Sequence, residues 1–179
     1  FFKALTDAMK SKNENARLLA WTYYCDKPWN YRLIGELPKD ISVLACYSQF
    51  VDIERNGVKN RTDDYACCVT GPSEYFEKVY YAAASSGLKI LAKTEVSFGQ
   101  EFVGIPYIPS LAQHQRRWDS MREKELAGYM GDYIHRGFVP SPCTDLMRQN
   151  IFETKVNGHL WLEDPVSKLE FVASLNYGR

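Results

Sequence analysis

Four short apolar runs recur along the chain, at residues 17–24, 41–48, 88–96 and 127–134. Segments with the spacing of amphipathic helices lie before, between and after them. Strands that alternate with helices are typical of parallel βαβ units. The pattern therefore predicts an α/β fold in which these runs are neighbouring parallel strands in chain order.

The helical segments differ in how clearly they are marked. Residues 1–10, 111–126 and the segment opened by 140–145 have helical spacing, and residues 29–37 form a loop or a short helix. Ser73 is placed to cap a helix, and Pro165 begins a terminal one. The predicted inward positions are Phe1, Leu5, Ala8 and Met9 in the first helix, Phe76, Val79, Tyr80 and Ala83 in the capped helix, and Val166, Leu169, Val172 and Leu175 in the last.

The polar stretch 52–70 interrupts this alternation after the second run. It carries charges and an Asn-Gly pair but no apolar period. We expect an excursion at the carboxyl end of the second strand, where loops of α/β folds are free to vary.

Two architectures fit four βα units. A complete (β/α)8 TIM barrel needs eight units and about 250 residues, so a chain of 179 residues is predicted to be the second half of one. Residues 1–153 would form this half-barrel, and 154–179 a C-terminal helical extension. The chain begins inside a helical pattern, so we expect the remainder of the same polypeptide to supply the other strands. The alternative is a doubly wound domain, although no GxGxxG or GxxxxGK loop follows any run.

Composition narrows the classes of partner. Lys plus Arg and Asp plus Glu both number 22, so the net charge is zero and gives no electrostatic case for nucleic acid. No apolar run approaches membrane-spanning length, which predicts no membrane span. Aromatic residues make up 14% of the chain. Their flat apolar faces with a polar handle fit a carbohydrate or another polar-ring ligand, and core packing is an equally good explanation.

The residues of common metal and nucleophile motifs are scattered. The five cysteines include no CxxC pair, and the three histidines show neither HxH nor HExxH spacing. No Gly-x-Ser-x-Gly elbow is present. The sequence therefore predicts no metal and no cofactor. His114, in a strongly charged helix, is predicted to face solvent.

Charged residues cluster where the third run ends. Residues two apart in a strand share a face, so Lys93 and Glu95 would line up on one side. Such a pair could bind sugar hydroxyls and tune the carboxylate, or form only a surface ion pair. Glu101, in the following loop beside Phe102, could be a partly desolvated acid or a solvated loop carboxylate.

Two further pairs follow other runs. Asp132 and His135 end the fourth run and, if the strand stays regular, point to different sides, so that only one would face a pocket. Tyr47 and Gln49 end the second run and share a parity. They could contact a ligand, or cap and pack.

Several of these residues fall in segments that carry a resemblance: Ala92–Glu95, Gln100–Glu101, Pro106–Pro109, Gly128–Tyr133 and Phe138–Pro142. Together they resemble the C-terminal half of the catalytic barrel in bacterial glycoside-hydrolase-like proteins, which are distantly similar to the family 20 hexosaminidases. The chain differs in having Glu95 where that group commonly has Gln, Gln100 where it has Trp, and Asp132-Tyr133 where it has Ser-Trp.

The resemblance implies a carbohydrate-active enzyme that hydrolyses a glycosidic bond with carboxylate acid/base chemistry. Glu101 and Glu95 would be catalytic, without a metal or cofactor. It also implies a role in polysaccharide use and a periplasmic or extracytoplasmic location. The main acid pair of the family 20 enzymes follows the fourth strand, outside this chain. The alternatives are a non-catalytic carbohydrate-binding barrel and a small α/β ligand-binding domain. The substrate-binding residues would be Lys93, Asp132, His135, Tyr47 and Gln49.

Overall fold

The computed structural model describes residues 1–62, 66, 68–96, 110–132, 141–151, 155–156, 159–160 and 165–177, with backbone alone at 132, 155–156, 159–160, 165, 167 and 176. Its helices are α1 (Phe2–Lys10), α2 (Pro28–Gly35), α3 (Glu74–Ser85), α4 (Leu111–Arg122), α5 (Pro142–Ile151) and α6 (Pro165–Tyr177). Its strands are β1 (Leu19–Trp21), β2 (Ser42–Cys46), β3 (Val51–Arg55), β4 (Val58–Thr62), β5 (Lys89–Glu95), β6 (Gly128–Asp132), β7 (Lys155–Val156) and β8 (His159–Leu160).

The main sheet confirms the α/β class. It has four strands in the order β1-β2-β5-β6, which is the predicted order of the apolar runs. β1 pairs with β2 in parallel, and β2 pairs with β5 in parallel. β1, β2 and β5 are each shorter than the corresponding apolar run.

The stretch after β2 is more ordered than the sequence predicted. β3 and β4 form an antiparallel hairpin closed by Asn56 and Gly57, with φ of 52° and 77°. Positive φ at both central residues is the signature of a type I′ turn, for which Asn-Gly is the preferred pair. Cross-strand pairing sets Asp52 opposite Arg61 and Glu54 opposite Lys59. Val51 and Ile53 alternate with Asp52 and Glu54 in β3, but β4 has a single apolar residue, Val58, and the element was missed because three apolar residues were too few to be recognised as a strand pattern.

The chain divides into two compact units. Unit 1 comprises Phe1–Asp64, Pro72–Thr94 and Glu125–Met130, and unit 2 comprises Tyr65–Gly71, Glu95–Lys124 and Gly131–Arg179. Unit 1 contains most of the sheet, the hairpin and helices α1 to α3. In unit 2, helices α4, α5 and α6 pack against one another.

The core of unit 1 lies between β2 and α3. Residues of α3 that face the sheet are fully buried, including Phe76, Val79 and Ala83. Ser73 caps this helix as predicted, because its Oγ accepts a hydrogen bond from the Phe76 N–H at 3.1 Å. The helix ends in a Schellman motif at Gly87, which has φ of 64°.

The first and last helices form where predicted, but their apolar stripes are only partly buried. In α1 both Phe1, which precedes the helix, and Leu5 are exposed, and the buried residue is Thr6. In α6 Val172 is buried, whereas Val166 and Leu175 are exposed. Helical period alone therefore located these helices and did not identify the face that packs.

Candidate functional site

Five aromatic residues of unit 1 form a continuous cluster, here called the aromatic row. Trp21 ends β1, Tyr23 and Tyr24 follow it, Phe50 follows β2, and Tyr75 lies in the first turn of α3. Successive ring centroids are 4.8, 4.6, 5.5 and 5.4 Å apart along this sequence. These spacings are those of edge-to-face and tilted aromatic contacts. The row therefore runs across the carboxyl ends of two neighbouring parallel strands.

The backbone is unusual at two points of the row. Tyr24 has φ of 55° and Phe50 has φ of 65°. A left-handed conformation of a bulky residue costs on the order of 1–3 kcal/mol and persists only where the surroundings fix it. Both residues lie in the turn that follows a strand, and the two rings meet edge to face. Such strain is concentrated at functional sites in proteins generally.

Gln49 is hydrogen-bonded to the backbone of Tyr24, one of these two residues. Its Oε1 accepts a hydrogen bond from the Tyr24 N–H at 3.4 Å, and the side chain is fully buried. Its Nε2 has no hydrogen-bond partner among the residues that the structure describes. A buried amide donor of this kind is normally satisfied, by protein, water or ligand.

Lys93 reaches the row from β5. Its Nζ lies 5.4 Å from the centroid of the Tyr23 ring, within the range of a cation–π interaction. The residue is 1% exposed, and burial of an ammonium group is expensive unless it is compensated. Lys93 is paired in register with Cys46 of β2, so the two side chains share a face of the sheet.

Tyr47 packs against helix α3. Its ring packs edge to face against Phe76 of α3, with centroids 4.9 Å apart, and the residue is fully buried. Because β2 ends at Cys46, the parity argument that grouped Tyr47 with Gln49 does not hold beyond the strand. The position of Tyr47 fits the packing role that the sequence left open.

Two tyrosine hydroxyls brace the loops beside the row. The Tyr75 hydroxyl donates to the Thr22 carbonyl, and burial raises the pKa of Tyr75. The Tyr31 hydroxyl donates to Asp26 Oδ1 at 2.6 Å. Burial, followed by this hydrogen bond, raises the pKa of Tyr31. Both phenols are therefore neutral donors at physiological pH.

The acidic candidates are not residues of the aromatic row. Glu95 ends β5 in unit 2 and is 3% exposed. Burial, and then the charge of Glu95, raises the pKa of the Cys143 thiol to about 12. Cys143 is thus a neutral, buried thiol beside a carboxylate. Glu101 and His135 lie outside the described residues, and the same is true of the Asp132 side chain, whose backbone is in β6.

The prediction that His114 faces solvent is wrong. The residue is 1% exposed, and burial, with the charge of Arg117 as a second cause, holds its pKa well below the usual value. Arg117 is equally buried and donates hydrogen bonds to the carbonyls of Ala66 and Val69. The prediction assumed that the charged residues of α4 face solvent. Arg117, one of them, is instead buried and donates to loop carbonyls of unit 2.

Gln49 and Lys93, which the sequence analysis named as candidate substrate-binding residues, lie beside the aromatic row, which it did not predict. The available signal was the Trp-Thr-Tyr-Tyr segment at 21–24 and the abundance of tyrosine. Within the described ranges no group of three potential ligands could hold a metal ion, and Cys25, Cys46, Cys68 and Cys143 form no disulfide. No helix in the described part of the chain is both long and apolar enough to cross a bilayer.

No protein-family model, curated protein or solved structure matches the chain.

Proposed function

We propose that the aromatic row is the sugar-binding wall of a glycoside-hydrolase-type site. The observation that carries this proposal is the row itself, with Gln49 and Lys93 beside it, at the carboxyl ends of three neighbouring parallel strands. Pyranose rings have apolar faces of C–H groups edged by hydroxyls. An aromatic surface flanked by hydrogen-bonding groups fits both parts of such a ligand.

The exposure of the row supports a ligand rather than packing alone. Trp21 is 46% exposed and Tyr24 is 50% exposed. Large aromatic residues grouped at a surface, on a strained backbone, are typical of binding sites. The buried residues behind them hold the exposed rings in place, so that little conformational entropy is lost when a ligand binds.

The fold supports the finer proposal of a half-barrel. The strands follow one another in chain order, as consecutive βα units of a barrel do. β1 lies at the edge of the sheet with Leu19 44% exposed and Trp21 46% exposed. A further parallel strand would cover this apolar edge. In a (β/α)8 barrel the ligand binds at the carboxyl ends of the strands, where the row lies.

The chemical step of the proposal rests on carboxylates outside the row. One acid, with Glu101 and Glu95 as the candidates of this chain, would protonate the leaving oxygen. A second carboxylate would act as nucleophile or base, or the substrate would supply the nucleophile. The second candidate function is saccharide binding without hydrolysis. It is favoured by the residues present. The row contributes aromatic rings, Gln49 and Lys93 beside it contribute an amide and an ammonium group, and none of these residues is an acid.

The experiment compares two tyrosine variants on a panel of tetrasaccharides. Cello-, xylo-, manno- and N-acetylchitotetraose are tested by saturation-transfer NMR and calorimetry against the wild type, Tyr24→Ala and Tyr81→Ala. Tyr81 is a matched control, since it is 60% exposed on α3 outside the row. We expect Tyr24→Ala to weaken binding by up to about tenfold, the loss of one aromatic contact of about 1 kcal/mol, and Tyr81→Ala to leave it unchanged.

The outcomes separate the two functions. Release of reducing ends from the bound tetrasaccharide supports hydrolysis, whereas tight binding without release supports the non-catalytic candidate. If no member of the panel binds, or if both tyrosine variants lose binding equally, the row is not a sugar-binding wall.

A further inference from the structure

We propose that the saccharide bound at the row carries an anionic group, a carboxylate or a sulfate, and that Arg61 of the hairpin binds it. This inference rests on the proposed saccharide-binding function and adds the charge of the ligand. The observation behind it is a guanidinium group held against the aromatic row by an element that the sequence did not predict.

The base of the hairpin fixes Arg61 beside the row. The Phe50 N–H donates to the Thr62 carbonyl at 2.8 Å, and the Val51 N–H donates to the Thr62 Oγ1 at 3.2 Å. Arg61 is the neighbour of Thr62 in β4, and its guanidinium carbon lies 5.2 Å from the centroid of the Phe50 ring. This cation–π contact places the positive charge over one ring of the row.

The guanidinium keeps its capacity to bind an anion. Among the residues that the structure describes, Asp52 Oδ1 lies 3.9 Å from Arg61 Nη1, beyond hydrogen-bond distance, and the Asp52 side chain is 79% exposed. An exposed pair of this geometry is weak. Among the described residues no acceptor receives a hydrogen bond from the Arg61 guanidinium. The planar fork of N–H donors matches a carboxylate or a sulfate in a bidentate manner.

A groove beside Arg61 has room for such a ligand. A groove of about 560 Å³ runs along the hairpin and includes Arg61 in its wall. Lys93 contributes a second cation at the other end of the ring sequence Tyr23, Tyr24 and Phe50. An anionic saccharide stacked on these rings would meet the positive charge of Arg61 at the Phe50 end. The groove is lined by Asp52, Ile53, Glu54, Lys59, Asn60 and Arg61.

The test uses pairs of ligands that differ only in charge. Tetragalacturonate is compared with its methyl ester, and a sulfated galactan tetrasaccharide with its desulfated form, by calorimetry on the whole chain. We expect the wild type to bind at least one anionic member about tenfold more tightly than its neutral partner, as one charge-assisted contact gives. The pair that shows the preference identifies whether the group is a carboxylate or a sulfate.

Two arginine variants locate the preference. Arg61→Gln should reduce the affinity for the anionic ligand to that for its neutral partner. Arg55→Gln removes the same charge from the other strand of the hairpin, at the end near the turn, and should keep the preference. Arg61→Lys keeps the charge but loses the fork, and should retain only part of it. Circular dichroism of each variant verifies the fold.

The failures of the two proposals are distinguishable. Equal affinities within both ligand pairs, in a wild type that binds neutral tetrasaccharides through Tyr24, would overturn the anionic inference and leave the proposed function standing. An anionic preference that survives Arg61→Gln would also overturn it. No binding of any saccharide, charged or neutral, would overturn both.

Discussion

Acid should destabilise unit 2 through His114. The unfolded-state pKa of this histidine is near 6.5, and burial holds the folded-state pKa well below that. Between the two values the unfolded chain binds more protons than the folded chain, so stability rises with pH there. The stabilisation is complete above about pH 6.5 and is lost as the pH falls. One proton changes the unfolding free energy by at most about 1.4 kcal/mol per pH unit.

The measurement is urea unfolding at pH 7.5, 6.5, 5.5 and 4.5, followed by tryptophan fluorescence. Trp118 lies one helical turn from His114 and is 3% exposed, so it reports on the same core. His114→Gln cannot titrate. We expect the stability of the wild type relative to the variant to fall as the pH is lowered from 6.5 to 4.5, by at most about 1.4 kcal/mol per pH unit. Parallel pH curves for the two proteins would refute the assignment of a buried, neutral histidine.

Five substitutions, two of them matched controls, test the local structure by urea unfolding. Gly87→Ala should destabilise by about 1 kcal/mol, because φ is 64° there, whereas Gly71→Ala, with nothing within 4 Å and no positive φ, should be nearly neutral. Ser73→Ala should cost about 1 kcal/mol by removing a cap, and Ser110→Ala, at a helix start without a side-chain cap bond, almost nothing. Asn150→Ala should cost about 1–3 kcal/mol, since its amide exchanges hydrogen bonds between α4 and α5. Equal effects within either matched pair, or a neutral Asn150→Ala, would contradict these readings.

The sheet could be predicted from the sequence because its signal is local. Apolar runs of strand length, separated by helical periods, located β1, β2, β5 and β6 and their order. The Ser73 cap was equally readable, since a cap depends on residues a few positions apart. The hairpin was missed because its two strands contain only three apolar residues, Val51, Ile53 and Val58, and the Asn56-Gly57 pair was the remaining signal.

The candidate site was harder to predict because it is assembled by the fold. Tyr24 and Phe50 meet only because both adopt left-handed backbone conformations after their strands, and no period reveals that. The burial of individual side chains was the second property that the sequence did not predict. His114 was misjudged because its neighbours are charged, although Arg117 among them is itself buried. The catalytic candidates Glu101 and Glu95, the half-barrel and the family resemblance stay predictions.

The most direct test of the sugar-binding wall is the response of the tryptophan indole N–H groups to a saccharide. The chain has four tryptophans, so a ¹⁵N-labelled sample gives a small set of indole signals, and Trp21→Phe and Trp29→Phe assign two of them. On titration with the tightest-binding tetrasaccharide, we expect the Trp21 signal to shift and saturate, while Trp29, 56% exposed on α2 and outside the row, stays in place. A Trp21 signal that does not move while a saccharide binds, or no shift with any tetrasaccharide, would contradict the central claim.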